Sequence, residues 1–313
     1  MKITSQSVLF IIGPTAVGKS DLALQLAQEL NGEIISADSM QVYRGMDIGT
    51  GKPSKREQKK VRHHLIDLYS PSRTFSVFDF YRRAVEKISE IQARKKTPIV
   101  VGGTGLYVRA LLEGLESSPP PDLKLRKKIE SDYQKKGLDF LVKKLSKIAP
   151  EKLLEMDIKN PRRVVRSLEI ALLKKRKTKV IGTALQPISK LGFDPIVIGL
   201  ACERGELYRR IDARVDSMFL KGWIREVKKI AACRFSRTAK QAIGYSRILP
   251  LLRKKILKNE EIPALIEQIK IDTRRYAKRQ LTWFRKEKVS FWVDLTRPVP
   301  GLSLSRAVLA RLQ

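Results

Sequence analysis

Gly13-Pro14-Thr15-Ala16-Val17-Gly18-Lys19-Ser20 has the spacing GxxxxGK[ST], between the apolar run Val8–Ile12 and an amphipathic stretch that opens at Lys19. That setting suits a loop built to hold a diphosphate. Glycines let backbone N–H groups converge on anionic oxygens, a helix N-terminus adds partial positive charge, and the lysine adds a full one. The hydroxyl of Ser20 is placed to ligate Mg²⁺. The loop by itself does not say which diphosphate it holds, or whether a phosphoryl group moves.

Asp38 opens Asp38-Ser39-Met40-Gln41, just beyond a second apolar run, Glu33–Ala37. A carboxylate near a diphosphate can act as general base or hold a metal; it can equally be a helix N-cap. Arg210 and Arg214 are four residues apart on one helical face, suited to charge on departing phosphate or to a surface pair beside Asp212 and Asp216. Arg162, Arg163 and Arg166 open one helical stretch, while Arg274, Arg275, Lys278 and Arg279 interleave with Tyr276 and Trp283 on another. Cations among aromatics suit an RNA backbone and unstacked bases, although Trp283 and Phe284 read better as core. His63 and His64 read as structural groups beside Asp67.

These side chains must be positioned by an alternation of strand and helix. Strands are predicted at Val8–Ile12, Glu33–Ala37, Thr97–Val101, Pro195–Leu200 and Phe291–Leu295, with helices at Lys19–Leu30, Phe78–Arg94, Glu206–Phe219, Trp223–Ala231 and Ile262–Lys286. This predicts an α/β fold with a parallel sheet, whose ligands bind at the carboxyl ends of the strands. Ser20, Asp38 and Thr104 (in Gly102-Gly103-Thr104-Gly105) all fall at such ends. Pro119-Pro120-Pro121 then marks a break, followed by helices at Asp122–Lys136, Leu138–Ile148, Pro150–Met156 and Pro161–Lys174. The expected organisation is a core of residues 1–118 and 193–313 with a helical insertion at 119–192. The dense basic run 174–179 reads as a loop.

The charge narrows the class of partner. The 313 residues carry 64 Lys and Arg against 32 Asp and Glu, a net charge of +32, which points to a polyanion. Residues 1–112 hold 17 basic and 10 acidic groups, residues 121–190 hold 20 and 8, and residues 201–290 hold 24 and 10. The excess is therefore concentrated in the insertion and the later helices. Two cysteines and two histidines fit a reduced thiol state and make a structural zinc site a poor reading. No run is long and apolar enough to span a membrane, and Met1–Ser7 lacks the layout of a secretory signal. A cytoplasmic protein is the resulting expectation.

Taken together, the motifs resemble the tRNA dimethylallyltransferase (tRNA isopentenyltransferase) family in its bacterial-type form. The carriers are GPTAVGKS at 13–20, ISADSMQVYRGMDIGT at 35–50, HHLID at 63–67, GGTGLY at 102–107, PRRVVRSLE at 161–169, IGY at 243–245 and TRRYAKRQLTWFR at 273–285. The block around Asp38 is far more specific than the diphosphate loop.

The resemblance implies a P-loop NTPase-like core and transfer of a dimethylallyl group from its diphosphate to the exocyclic amine of the adenosine just 3′ of the anticodon. It implies that Asp38 is the base, with Thr104 beside the reacting adenosine and Arg214 on the leaving group. Gly13, Pro14, Thr15, Ala16, Val17, Gly18, Lys19 and Ser20 would hold the diphosphate, with Mg²⁺ on Ser20. RNA contacts would fall to Asp38, Ser39, Met40, Gln41, Thr104, Arg126, Arg162, Arg163, Arg166, Gly244, Tyr245, Lys278 and Arg279. The expected partners are tRNA, gripped at its anticodon stem-loop, and dimethylallyl diphosphate, with the enzyme a monomer.

Three departures stand out. Ser246 takes the place of a usual basic residue, Asn160 that of a common Asp, and Arg275 that of a common Gln. Rival readings are an adenylate isopentenyltransferase acting on free AMP, a small-molecule kinase using the same loop, and a non-catalytic RNA-binding protein with a degenerate loop. The basic insertion argues against the first two, and the intact Lys19, Ser20 and Asp38 against the third.

Overall fold

The computed structural model describes residues 2–154, 156–175, 184–254, 256–296 and 304–312. Its elements in chain order are β1 (Ser7–Ile12), α1 (Lys19–Glu29), β2 (Gly32–Ser36), α2 (Lys55–Lys60), β3 (His63–His64), α3 (Val77–Ala93), β4 (Thr97–Gly102), α4 (Gly105–Leu112), α5 (Leu123–Ser146), α6 (Glu151–Leu154), α7 (Pro161–Lys175), β5 (Asp194–Ala201), α8 (Arg204–Leu220), α9 (Trp223–Ile230), α10 (Tyr245–Arg253), α11 (Ile262–Phe284), β6 (Phe291–Asp294) and α12 (Leu304–Leu309). Six strands form one sheet in the order β3-β2-β4-β1-β5-β6, every neighbour parallel. β1 is central and buried along its whole length, which is why Val8–Ile12 reads as unbroken apolar sequence rather than as alternation. The expected α/β architecture stands, and His63–His64 adds a short edge strand that the sequence did not announce.

Flanking helices cover the sheet through apolar stripes. α3 buries Phe80, Ala84, Ile88 and Ile91, four residues at helical spacing. Its N-terminus is closed by a capping box in which Ser76 and Asp79 satisfy each other's backbone. α1 is different: Gly18 precedes it in the left-handed region and no side chain caps it. Its first N–H groups stay available to an anion.

The chain divides into two compact units, Met1–Gly114 with Gln186–Gln313, and Leu115–Leu185. The smaller unit begins four residues before, and ends seven residues before, the expected 119–192. Its ends are tied by reciprocal backbone hydrogen bonds of 2.9 Å between Leu115 and Leu185. Beyond them Ile188 is buried in the sheet's core, which assigns it to the larger unit. Within the smaller unit α5 and α7 share a core of Leu125, Ile129, Leu141, Leu145, Val164 and Leu168. Helical geometry breaks at Gly137, where the two helices Asp122–Lys136 and Leu138–Ile148 were expected to part. Of the basic run 174–179, Lys174 and Lys175 close α7, and residues 176–179 lie outside the described residues.

Candidate active site

The carboxyl ends of β1, β2 and β4 open into a cleft of about 960 Å³ whose walls include Thr15, Lys19, Ser20, Asp38, Arg214 and Tyr276. Three separate sequence motifs therefore meet in one place. Among the described residues Lys19 bonds its own loop alone, donating from Nζ to the Pro14 carbonyl at 2.5 Å. Burial, together with the neighbouring Arg214, pushes its ammonium down to about 7, against the opposing pull of Asp38. Burial also lowers the Arg214 guanidinium, while Asp38 and Asp21 raise it. Two cations sharing a site with no carboxylate in contact among the described residues are electrostatically under-compensated, and an anionic ligand relieves that.

Asp38 is pushed above the usual carboxylate range by burial, against hydrogen bonds from the Met40 and Gln41 backbone and the charges of Lys19 and Arg214. Its Oδ1 accepts the Met40 N–H at 2.8 Å and no helix follows it, so the N-cap reading is corrected to an Asx turn. One carboxylate oxygen is thereby oriented by the backbone. A raised affinity for protons is what a general base working near neutrality needs.

Thr104 follows Gly103, which lines the cleft. Its Oγ1 accepts the Ser39 N–H at 3.1 Å, and its own N–H reaches the Ala37 carbonyl at 3.3 Å. It therefore brackets Asp38 from both sides in sequence. Among the described residues Arg214 is fixed by contact rather than by an ion pair. Gly51, at φ +59°, packs so closely that an added Cβ would lie 1.7 Å from Arg214 Nη2. Arg210 lines the same cleft but is engaged elsewhere, donating to Glu206 Oε1 at 2.7 Å and to the Leu295 carbonyl at 2.8 Å. The surface-pair reading of Arg210 and Arg214 is thus set aside for Arg214.

Ser20 is exposed at the start of α1, and its hydroxyl makes no hydrogen bond among the described residues. Among the described residues no group of three or more His, Cys, Asp or Glu could form a metal cage. Mg²⁺ does not require one, since it takes one or two protein oxygens and completes its shell with water and phosphate. The residues present therefore fit that ion.

Several of the residues expected at the RNA are engaged inside the protein, although Gln41 also lines the cleft. Gln41 accepts from Ser36 Oγ at 2.8 Å and donates to the Thr50 and Gly51 carbonyls at 3.4 and 3.3 Å. Tyr245 is buried and donates to Glu226 at 2.5 Å; Glu226 in turn accepts the N–H groups of Asp47, Ile48 and Gly49. Gly244 is buried against Trp223, where a Cβ would sit 2.1 Å from the ring. The burial of Tyr245 and Gly244 has one cause, the packing of α9 and α10 behind the Asp47–Gly51 loop.

Arg126 and Arg166 both bond Glu169, which is fully buried, and Arg166 also donates to the Pro119 carbonyl at 2.6 Å. Their guanidiniums hold the smaller unit together. Arg162 and Arg163 remain exposed at the first turn of α7, where Asn160, in place of the usual Asp, still accepts the Arg162 N–H at 3.1 Å. On α11, Arg274 is paired with Asp212, whereas Arg275, Lys278 and Arg279 are exposed. Ser246 is exposed, and Arg247 beside it is paired with Asp272 at 2.8 Å. His64 bonds Glu33 at 2.7 Å, not Asp67, which takes Lys52 at 2.6 Å. Phe284 is core as expected, and Trp283 stacks under Arg109 at 4.4 Å.

Sequence reasoning missed Glu226 and Gln280 as supports of the site. Their only signal was position: Gln280 is four residues after Tyr276, one helical turn along the face that lines the cleft.

The comparisons agree with this geometry. The family profile described as IPP transferase matches residues 41–287. A tRNA dimethylallyltransferase of Acetivibrio thermocellus is 42% identical over 291 residues, covering 92% of this chain and 91% of that one. One from Bacillus subtilis is 40% identical over 306 residues, covering 96% and 94%. A solved tRNA isopentenylpyrophosphate transferase from Bacillus halodurans superposes with a TM-score of 0.67 at 40% identity, covering 98% of this chain and 94% of that one. A eukaryotic dimethylallyltransferase acting on tRNA superposes with a TM-score of 0.69 at 29% identity, covering 93% and 74%. With the diphosphate loop, the Asp38 turn and the seated Arg214 in one cleft, and with this degree of likeness along nearly all its length, the chain belongs to the IPP transferase family.

Proposed function

We propose that the protein transfers a dimethylallyl group from dimethylallyl diphosphate to the N6 amine of the adenosine 3′-adjacent to the tRNA anticodon, giving N6-isopentenyladenosine. The carrying observation is that Asp38 shares one cleft with Lys19 and Arg214, in a member of this family. A base and an anion seat face one another, as alkyl transfer to a weak nitrogen nucleophile requires.

The adenine amine donates its lone pair into the ring and attacks poorly. The bond from N6 to the allylic carbon forms as the bond from that carbon to diphosphate oxygen breaks, and the diphosphate leaves with the electron pair. Lys19, Arg214 and the open N–H groups at the start of α1 meet the charge that builds on it. The amine proton, made acidic by bond formation, passes to Asp38, which lines the cleft. Thr104 acts by holding the Ser39 N–H and thus the turn that presents Asp38. Ser20 would hold Mg²⁺, which when bound neutralises diphosphate charge.

An adenosine in an anticodon loop is stacked, and unstacking it costs about a few kcal/mol. The exposed cations Arg162, Arg163, Arg275, Lys278 and Arg279 suit the phosphate contacts that offset this cost. No helix among the described residues is long and apolar enough to cross a membrane.

The test is incubation with labelled dimethylallyl diphosphate and Mg²⁺, offering anticodon stem-loop RNA and AMP in parallel. Label in the RNA is expected. Label in AMP alone would overturn the tRNA reading, and phosphorylation of a small molecule with ATP would replace it with a kinase. RNA binding should weaken steeply as salt rises.

A further inference from the structure

The inner and outer faces of α11 do different things. Arg275, Lys278 and Arg279 are exposed, while Tyr276 and Gln280 line the cleft. Gln280 is only 5% exposed, and both ends of its amide are engaged. Oε1 accepts the Thr15 N–H at 2.8 Å, and Nε2 donates to the Gly103 carbonyl at 2.8 Å. The fit leaves no slack, since a Cβ on Gly103 would stand 2.1 Å from Gln280 Nε2.

The two loops it joins serve opposite partners in the reaction. Thr15 belongs to the loop that faces the leaving group. Gly103 precedes Thr104, whose hydroxyl holds the Ser39 N–H beside Asp38, on the acceptor side. Thr15 and Gly103 belong to loops that follow different strands, β1 and β4, and Gln280 spans them through a single side chain. The Thr15 N–H is also spent on Gln280, so it is not one of the donors left for diphosphate.

We infer that Gln280 is a positioning residue that sets the spacing between the diphosphate loop and the acceptor loop, and so the approach of the adenine nitrogen to the allylic carbon. Its amide is bonded to backbone at both ends, so it acts by holding the two loops at a fixed spacing. Displacement of reacting groups by about 1 Å can cost on the order of 10²-fold in rate. Loss of Gln280 therefore appears in the chemical step and not in ground-state binding. This inference rests on the prenyl-transfer reading above.

The test uses the full chain carrying Gln280→Met, which keeps length and removes both hydrogen bonds, and Gln280→Glu, which keeps the acceptor for Thr15 and loses the donor to Gly103. The measurements are single-turnover transfer to the stem-loop, KM for dimethylallyl diphosphate, RNA affinity at fixed salt, and Tm. The expected single-turnover loss is about 10²-fold for Gln280→Met and about 10-fold for Gln280→Glu, with KM and RNA affinity within about threefold.

A Gln280→Met rate within twofold of the parent overturns the inference. So does a rise in KM that accounts for the whole loss in kcat/KM, which would make Gln280 a binding group. If Gln280→Met melts below the assay temperature, Gly103→Ala attacks the same bond from its other side and must show the same rate loss. Should the parent label AMP and not RNA, the acceptor assignment fails, and the Gln280 variants are judged on AMP by the same two thresholds.

Discussion

At the start of β2, Glu33 is buried and answered by three partners: His64 at 2.7 Å, Arg94 at 2.8 Å and Lys96 at 3.0 Å. Just past the other end of the same strand, among the described residues, Asp38 has no cation in contact, and Lys19 and Arg214 have no carboxylate. Burial pushes the Glu33 carboxyl up, but hydrogen bonds from His64, Lys96 and Arg94 outweigh it and bring it down to about 2. Burial wins at Asp38, whose carboxyl is raised. A saturated buried charge stabilises the fold and has nothing left to give a ligand. An unsaturated one lowers stability, and its unmet interactions are available to substrate. One sheet thus carries a structural end and a chemical end.

The comparison breaks most sharply if the wrong end controls catalysis. Asp38→Asn should lower single-turnover transfer by about 10²–10⁴-fold with stem-loop affinity within a few-fold, measured by label incorporation and filter binding. Arg214→Gln should cost about 10²–10³-fold in the same assay. Gly51→Ala, which forces the Arg214 guanidinium to move, should reproduce part of that loss.

Glu33→Gln should do the reverse. It is expected to destabilise the protein by about 2–3 kcal/mol in urea unfolding, below the full value for a buried pair because Arg94 and Lys96 are more than a third exposed and can rehydrate. Activity per folded molecule should stay within twofold. The folded carboxyl lies below its unfolded value, so its stabilisation is complete above the ordinary glutamate range. It is lost as pH falls through that range toward about 2. In Glu33→Gln, that part of the acid sensitivity should vanish.

A gentler probe is proton uptake. Lys19 near 7 is largely neutral at pH 8, and bound pyrophosphate favours its charged form. Binding at pH 8 should therefore take up protons, seen as a calorimetric enthalpy that changes with the buffer's ionisation heat. Affinity should fall as pH rises above 7, and Lys19→Met should abolish the buffer dependence. The smallest effect is expected for Tyr245→Phe. It should cost about 1 kcal/mol of stability through Glu226 and leave RNA affinity unchanged; a tenfold loss of RNA affinity would return Tyr245 to the RNA surface.

The sequence by itself determined five of the six strands, the glycine-rich loop after the first of them, the helical smaller unit and the acidic residue beside Lys19. Each is written in local terms: unbroken apolar runs, glycine spacing, the proline break, and a specific block around Asp38. Tertiary structure alone decided which arginines reach a buried carboxylate. Arg126 and Arg166 look like Arg162 and Arg163 in sequence, yet only the first pair meets the buried Glu169, while the second is exposed at the first turn of α7. Tyr245 and Gln280 sit in motifs that resemble RNA contacts, yet both face inward to hold loops that follow distant strands. Hydrogen-bond partners separated by 265 and 177 residues leave no periodic trace in the chain, because only the packing of α11 against the strand ends brings them together.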